Sequence, residues 1–369
     1  MVFSISNIIF TYMIKSNFKI LALMSGTSLD GIDIIYVSFS FNESWSFEIH
    51  NSETITYTAE WKSILTNLVN KSMKQLKSID LNYSEFLAST ISNFVVDHNI
   101  QDIDFIASHG HTALHQPELG LTYQIGNHQI LADLLNQKVI CDFRVQDVKL
   151  GGQGAPLVPI GDQLLFGSYH YCLNLGGFAN ISFEKNKERI AFDICPVNIV
   201  LNHYVSQLDL EYDDKGQLAS NGTVNEDLVD QLNALHFYQE KPPKSLGLEW
   251  VDLHIFPLID AFKLTIEDVL RSYVEHVAIQ ISKITSHEKH TVLVTGGGVY
   301  NDFLMRRIAY FSKSKIVIPN NQIVEYKEAL IFGLLGVLKY RNEINCLKSV
   351  TGAKRDHSSG KILVPKIEN

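Results

Sequence analysis

The chain has no G-x-x-x-x-G-K-[ST] loop, no C-x-x-C pair and no apolar stretch long enough to cross a bilayer. Without that lysine loop, any nucleoside triphosphate must be held by donors of another kind. The four cysteines, Cys141, Cys172, Cys195 and Cys346, show no zinc-like spacing, which points to a reducing, cytoplasmic setting and to small buried side chains. Basic residues are in the minority, 31 Lys and Arg against 40 Asp and Glu, for a formal net charge of -9. That balance argues against a broad nucleic-acid footprint, which needs a basic face. It leaves room for a local anion site, because backbone N–H groups can build one. Residues 1–18 lack the basic start and cleavage site of a leader and are too short and polar to span a membrane. They read as a poorly ordered N-terminal extension, with Met13 as an alternative start.

What is present is a soluble α/β pattern: 369 residues, 46% hydrophobic and 19% charged, enough for two domains. Lys19–Val37 reads as a hairpin and Ser46–Thr56 as a further strand. Helices are expected over Ile64–Ile79, Tyr83–His98 and Asn127–Leu135, and short strands at Ile103–Ser108, Gln124-Ile125 and Val139–Cys141. A Gly/Pro-rich crossing, Gly151–Pro159, precedes a helix near Ile160–Gly167. A second strand–glycine turn–strand unit then runs Tyr171–Ser182, and a third strand ends at Phe192-Asp193. Thr291–Val294 is a strand leading into Gly296-Gly297-Gly298, with Asn301 opening a helix. Asn345–Asn369 is expected to pack back as a terminal helix or strand. The repeated hairpin predicts two related domains, 19–168 with 346–369 and 169–345, with a ligand cleft between them.

The first hairpin turn, Gly26-Thr27-Ser28-Leu29-Asp30-Gly31-Ile32-Asp33, offers backbone amides, hydroxyls and two carboxylates in one place. Gly176 and Gly177 are the matching donors of the second hairpin. Asp30 and Asp33 have the chemistry for magnesium, a hard cation that takes one or two carboxylates. Each turn alone is equally well a plain hairpin closure, since Asp-Gly is a hairpin signal in itself. Gly296, Gly297 and Gly298 allow close backbone approach to a flat ligand, and the helix at Asn301 presents an N-terminus. Tight strand–helix packing is the plainer explanation of that run.

Among the polar side chains, His109 and His111 invite a metal reading but lack a third ligand, so lining of a sugar pocket is the better one. Asp142 and Arg144 stand at another strand end. Arg144 suits a carboxylate clamp, or an internal pair with Asp142. Asp193 ends an apolar strand beside a Pro turn, where partial burial raises a carboxyl pKa and suits a general base. Glu328 opens an apolar helix, either as a dipole-favoured residue or as a second cleft carboxylate.

These residues resemble the anhydro-N-acetylmuramic acid kinase family of bacterial cell-wall recycling, within the actin-like ATPase superfamily. The resemblance is carried by Met24–Asp33, Ser108-His109-Gly110, Asp142-Phe143-Arg144, Gly151–Pro159, Asn174-Leu175-Gly176-Gly177, Thr295–Asn301 and Ser349–Ala353. It implies two actin-like (RNase H-like) domains around a cleft, with ATP and Mg2+ as cofactors. It also implies phosphorylation of the anhydro-sugar at O6 while water opens the ring at C1. Within that resemblance Asp193 activates the water, Gly26–Asp33 holds the phosphates, and Arg144 lies near the lactyl carboxylate. Glu328 lies near the sugar, with His109, Asp142 and Gln153 as further substrate contacts. Many members carry Asp-Thr-Gly-Pro-Gly-Asn where this chain has Asp193-Ile194-Cys195-Pro196-Val197-Asn198, so Cys195 and Val197 are expected to add bulk near the phosphates. A kinase of the same fold for another sugar or acid, an ATP-gated binding protein, and a glycosidase using Asp193 with Glu328 are the alternatives. The partners expected are small molecules, with neither nucleic acid nor membrane, and a homodimer is left open.

Overall fold

A computed structural model describes residues 15–26 and 29–366. Thr27 and Ser28 of the first turn, and most of the N-terminal extension, lie outside the described residues. Thirteen strands are present among them. They are β1 Asn17–Ser25, β2 Ile32–Asn42, β3 Ser44–Ile55, β4 Phe105–Ser108, β5 His111–Gln116, β6 Leu121–Ile125, β7 Val139–Cys141, β8 Tyr171–Leu175, β9 Phe178–Lys185, β10 Glu188–Pro196, β11 Thr291–Thr295, β12 Lys315–Val317 and β13 Lys361–Leu363.

The strands form two sheets with the same internal order. In the first, β3-β2-β1 is an antiparallel meander, and β4 and β7 add parallel to it on the β1 side. In the second, β10-β9-β8 is the meander and β11 and β12 are the parallel additions. Strand β13 closes the far edge of the first sheet, antiparallel to β7, so the C-terminal segment returns to that sheet. Strands β5 and β6 make a separate hairpin.

Alternation along β1 explains how the first sheet is held. Phe18, Ile20, Ala22 and Met24 enter one apolar cluster, while Leu21 and Leu23 enter the cluster on the opposite face. A strand buried on both faces is what helices on both sides of a partly parallel sheet require. The helix Met73–Asp97 covers the second face. The helix Asn321–Tyr340 covers the first, packing on β1, β2 and β4 and reaching β11 of the other sheet. Its Gly333 and Gly336 lie so close to the sheet that added Cβ atoms would meet Ala22 Cβ at 2.9 Å and Ala107 Cβ at 2.7 Å. The second sheet has its own core, built around the helix Ile266–Ile284.

Several elements differ from the sequence reading. The helix break falls at Ser72, where the Ser72 and Gln75 side chains form a reciprocal capping box, and one helix then runs from Met73 to Asp97. The β5–β6 hairpin replaces the single short strand expected at Gln124-Ile125. Strand β10 does not stop at Asp193 but continues to Pro196 through an irregularity between Asp193 and Cys195. Glu328 is in the middle of its helix, because Asn320 caps that helix eight residues earlier by accepting from Ile323 N–H. The helix dipole therefore does not account for Glu328.

A buried carboxylate ties the two sheets together. Asp162, on the helix Pro159–Leu165, accepts from Lys327 Nζ at 3.1 Å and from the Ser182 hydroxyl. Arg189 Nη2 stands 3.8 Å from the same carboxylate and donates to Ser182 Oγ at 2.7 Å.

Candidate active site

The C-terminal ends of β1 and β4 meet at a polar knot. His109 is buried, and its Nδ1 faces its neighbour's carbonyl, Gly110 O, at 2.8 Å. A carbonyl only accepts, so Nδ1 carries the proton and Nε2 is free to accept from Arg144 Nε at 2.9 Å. Burial first, and the Arg144 charge second, hold the His109 pKa well below its usual range, so the ring is neutral. Arg144 also donates from Nη1 to Gly154 O at 2.7 Å, which pins the guanidinium to the glycine-rich crossing. No Arg144–Asp142 pair forms. Asp142 instead lies 3.7 Å from Lys361 on β13, and burial raises its pKa.

Glu328 belongs to the same constellation. Its side chain keeps solvent exposure, yet its pKa is raised, chiefly by desolvation, with the Arg144 charge opposing and Asp33 adding to the rise. Asp33 accepts from Thr54 Oγ1 at 2.7 Å, and Thr54 Oγ1 lies 3.3 Å from the Tyr326 hydroxyl. Desolvation raises the Asp33 pKa, and the Asp30 and Glu325 charges raise it further. A desolvated carboxylate held among like charges suits a hard divalent cation, which would relieve the repulsion. Ile32 is fully buried and pairs with Ser25 in the ladder, while Leu29 turns the chain at a φ of 61° and Asp30 is exposed. Gly31 approaches Ile55 O so closely that a Cβ there would stand 2.6 Å from it.

Beneath this turn runs a relay that sequence reasoning missed. Ser25 Oγ contacts His111 Nδ1 at 2.8 Å and Tyr57 OH at 2.5 Å, and Tyr57 OH contacts Tyr83 OH at 2.6 Å. Burial lowers the His111 pKa to about 4. The His-x-His pattern marked the histidine, but nothing in sequence spacing links residues 25, 57, 83 and 111.

The second platform is built on β8 and β11. Gly296, at a φ of 87°, sits where a Cβ would meet Asn174 Oδ1 at 2.7 Å and Leu175 O at 2.8 Å. The run Gly296-Gly297-Gly298 is thereby laid against the end of β8, next to Gly176 and Gly177. Gly297 is exposed and an added Cβ would meet nothing within 4 Å, so its face is open to a ligand. Asn301 caps the following helix by accepting from Leu304 N at 2.9 Å. Beside this helix is a cavity of about 380 Å³ lined by Val299, Asp302, Met305, Arg306, Ile316 and Ile318 among others. The Gly176 and Gly177 carbonyls accept from the amides of Asn198, Val197 and Ile199, so the turn and the next helix start are one unit. Cys195 and Val197 are fully buried in the second core, not directed at the turn as expected, because the irregularity between Asp193 and Cys195 turns β10 inward and Val197 caps the helix Asn198–Val205 that packs on the same core.

Asp193 stands in the second sheet. Its Oδ2 accepts from Leu246 N at 2.8 Å, and its own N–H donates to Lys244 O at 3.1 Å. Desolvation raises its pKa and the Leu246 bond partly offsets the rise. Among the described residues, its hydrogen-bond partners all come from the second sheet and its loops. Gln153 has an exposed side chain, while its N–H donates to Thr351 O at 2.8 Å.

Two sheets that share a five-strand order, each with a glycine turn after its first strand, define an actin-like ATPase fold. The sequence model of the anhydro-N-acetylmuramic acid kinase family matches residues 18–365. The chain belongs to that family and is a phosphotransferase. The anhydro-N-acetylmuramic acid kinase of Mannheimia succiniciproducens is 31% identical over 94% of this chain and 98% of its own length. That of Pseudomonas savastanoi pv. phaseolicola is 32% identical over 92% and 97%. Among solved structures, component A of (R)-2-hydroxyglutaryl-CoA dehydratase from Acidaminococcus fermentans is 12% identical, with a TM-score of 0.44 over 85% of this chain and 95% of that one. Among the described residues, no helix is long and apolar enough to cross a membrane.

Proposed function

We propose that this chain uses ATP to phosphorylate 1,6-anhydro-N-acetylmuramic acid while opening its anhydro ring, giving N-acetylmuramic acid 6-phosphate in murein recycling. The observation that carries the reading is the Arg144 guanidinium, fixed by His109 and Gly154 beside Glu328. A guanidinium held in position by two hydrogen bonds suits the carboxylate of an anionic amino sugar. The two halves are taken as domains that face each other across a cleft, the first sheet with the C-terminal segment on one side and the second sheet on the other. The helix Asn321–Tyr340 runs between them.

In the reaction, Asp193 takes a proton from water as its oxygen bonds to C1. The C1–O6 bond breaks, O6 bonds to the γ-phosphorus, and ADP leaves with the bridging oxygen. A carboxylate raised toward neutrality is a better base than an unperturbed one. The remaining work is positioning, as expected for phosphoryl transfer. Gly26–Gly31 and Gly176-Gly177 line the phosphates, and Gly296–Gly298 with the adjoining cavity receives the adenosine. Asp30 and Asp33 would hold Mg2+, which neutralises phosphate charge when bound. Arg144, His109, Asp142, Gln153 and Glu328 form the sugar side. The enzyme works in the cytoplasm, as a monomer or homodimer, on small-molecule partners.

The test is product analysis after incubation with ATP, magnesium and the anhydro-sugar. One ADP per sugar, and a product heavier than the substrate by HPO3 plus H2O, are expected. A simple hexose phosphorylated in preference, or ring opening without ATP, overturns the reading.

A further inference from the structure

Away from the Arg144 constellation, three side chains that sequence spacing does not connect converge in the interior. Asp147, Cys346 and His357 are each buried, and each offers one ligand atom within 4.8 Å of the others. Cys346 Sγ lies 3.0 Å from Asp147 Oδ1, and Thr351 Oγ1 lies 2.7 Å from the same oxygen. His357 Nδ1 faces Arg355 O at 3.1 Å, so Nδ1 carries a proton. Its Nε2 is buried without a hydrogen-bond partner, and it points at Asp147 Oδ1 from 3.6 Å. That leaves Nε2 and a carboxylate oxygen facing each other across a gap with no hydrogen bond between them. Positive charge belongs in that gap.

We infer that Asp147, Cys346 and His357 form a binding site for a thiophilic divalent cation, zinc by its chemistry. Thiolate, imidazole and carboxylate are the zinc donor types. Metal–ligand bonds of about 2.0–2.3 Å set tetrahedral ligand–ligand edges of roughly 3.3–3.8 Å. The His357–Asp147 separation of 3.6 Å falls in that range and the Cys346–Asp147 separation of 3.0 Å lies just below it, and Thr351 Oγ1 or a water is the fourth donor. On binding, the Cys346 thiol loses its proton to solvent and the sulfur coordinates the cation.

The position gives the site a role. Cys346 and His357 exchange backbone hydrogen bonds at 3.1 Å, joining two parts of the C-terminal segment. Asp147 Oδ2 accepts from Gly154 N at 2.7 Å, and Gly154 O accepts from Arg144. The cation therefore clamps the C-terminal segment to the loop that aims Arg144. It is distinct from the magnesium expected with the nucleotide, which asks for hard oxygen donors alone.

The full chain, stripped with chelator and held without ATP or sugar, is titrated with Co2+. A thiolate-to-cobalt charge-transfer band saturating near one equivalent is expected, with displacement by Zn2+. The band disappears in Cys346→Ser and is lost or much weakened in His357→Gln, while Cys141→Ser retains it. Zn2+ also raises the melting temperature of the unsubstituted chain and not that of His357→Gln, which covers the case of a poorly folded serine variant. No band in the unsubstituted chain, or a band that survives both Cys346→Ser and His357→Gln, overturns the site. The read-out is optical and independent of kinase turnover, so it fails or succeeds separately from the proposed reaction.

Discussion

Arg144 donates from Nε to Nε2 of His109 at 2.9 Å, a bond that fixes the ring tautomer and the guanidinium plane together. Lysine cannot hold both His109 and Gly154 in that geometry. Arg144→Lys is expected to lower kcat/KM for the anhydro-sugar by about 10–100-fold, the worth of roughly 1.5–3 kcal/mol of charge-assisted hydrogen bonding. The KM for ATP should stay near its original value. Steady-state kinetics with each substrate varied in turn checks this, and equal losses on both sides would remove Arg144 from the sugar.

Asp193→Asn keeps an acceptor for Leu246 N–H and removes the base. Turnover should fall about 10²–10⁴-fold with little change in either KM. Because the folded Asp193 pKa is raised, the activity of the unsubstituted enzyme should decline on acidification through that raised value, above the ordinary 3.8. Retained turnover in the asparagine variant would assign the water to another group.

His111 predicts an acid weakness. Its folded pKa is about 4 against 6.5 unperturbed, so the unfolded chain binds the proton more tightly. Stability is then full above pH 6.5 and is lost as pH falls toward 4. From pH 7 to pH 5 the loss from this one group is about 2 kcal/mol. Raised carboxyls such as Asp33, Asp142 and Glu328 act in the opposite sense, binding protons more tightly when folded. Urea unfolding of His111→Gln at both pH values should show that its acid loss is smaller than that of the unsubstituted chain.

Gly296→Ala places a methyl 2.7 Å from Asn174 Oδ1 at a φ of 87°. The strain should cost about 1–3 kcal/mol of stability. It should also raise the KM for ATP more than that for the sugar. Thermal melts and kinetics separate the two effects, and a change confined to the sugar KM would move the Gly run away from the nucleotide.

The parts of the fold that were legible in sequence are those set by local chemistry. The two glycine hairpins, the buried strand before Gly296 and the Asn301 cap each follow from a few adjacent residues. What escaped depends on distant contacts. Nothing near Cys346 signals Asp147, and the Ser25–Tyr57–Tyr83–His111 relay spans three elements. Glu328 looks like a helix start because an apolar run follows it, whereas the polar first turn capped by Asn320 hides the true start. In sequence Cys195 and Val197 look like bulk at the turn, because neither the irregularity past Asp193 nor the helix start at Asn198 that buries them shows in composition.

Lys327 and Glu328 are sequence neighbours that look opposite ways. Lys327 is buried against Asp162, and Glu328 is exposed and feels the Arg144 charge. Asp162 is in turn shared with Ser182 and Arg189 of the other sheet. Any roll or slide of the helix Asn321–Tyr340 would drag an ammonium out of its ion pair into apolar surroundings, at a cost of roughly 3–5 kcal/mol. The pair is an index mark cut into the helix. It sets the helix's angular register to within a residue, and with it the direction in which Glu328 faces.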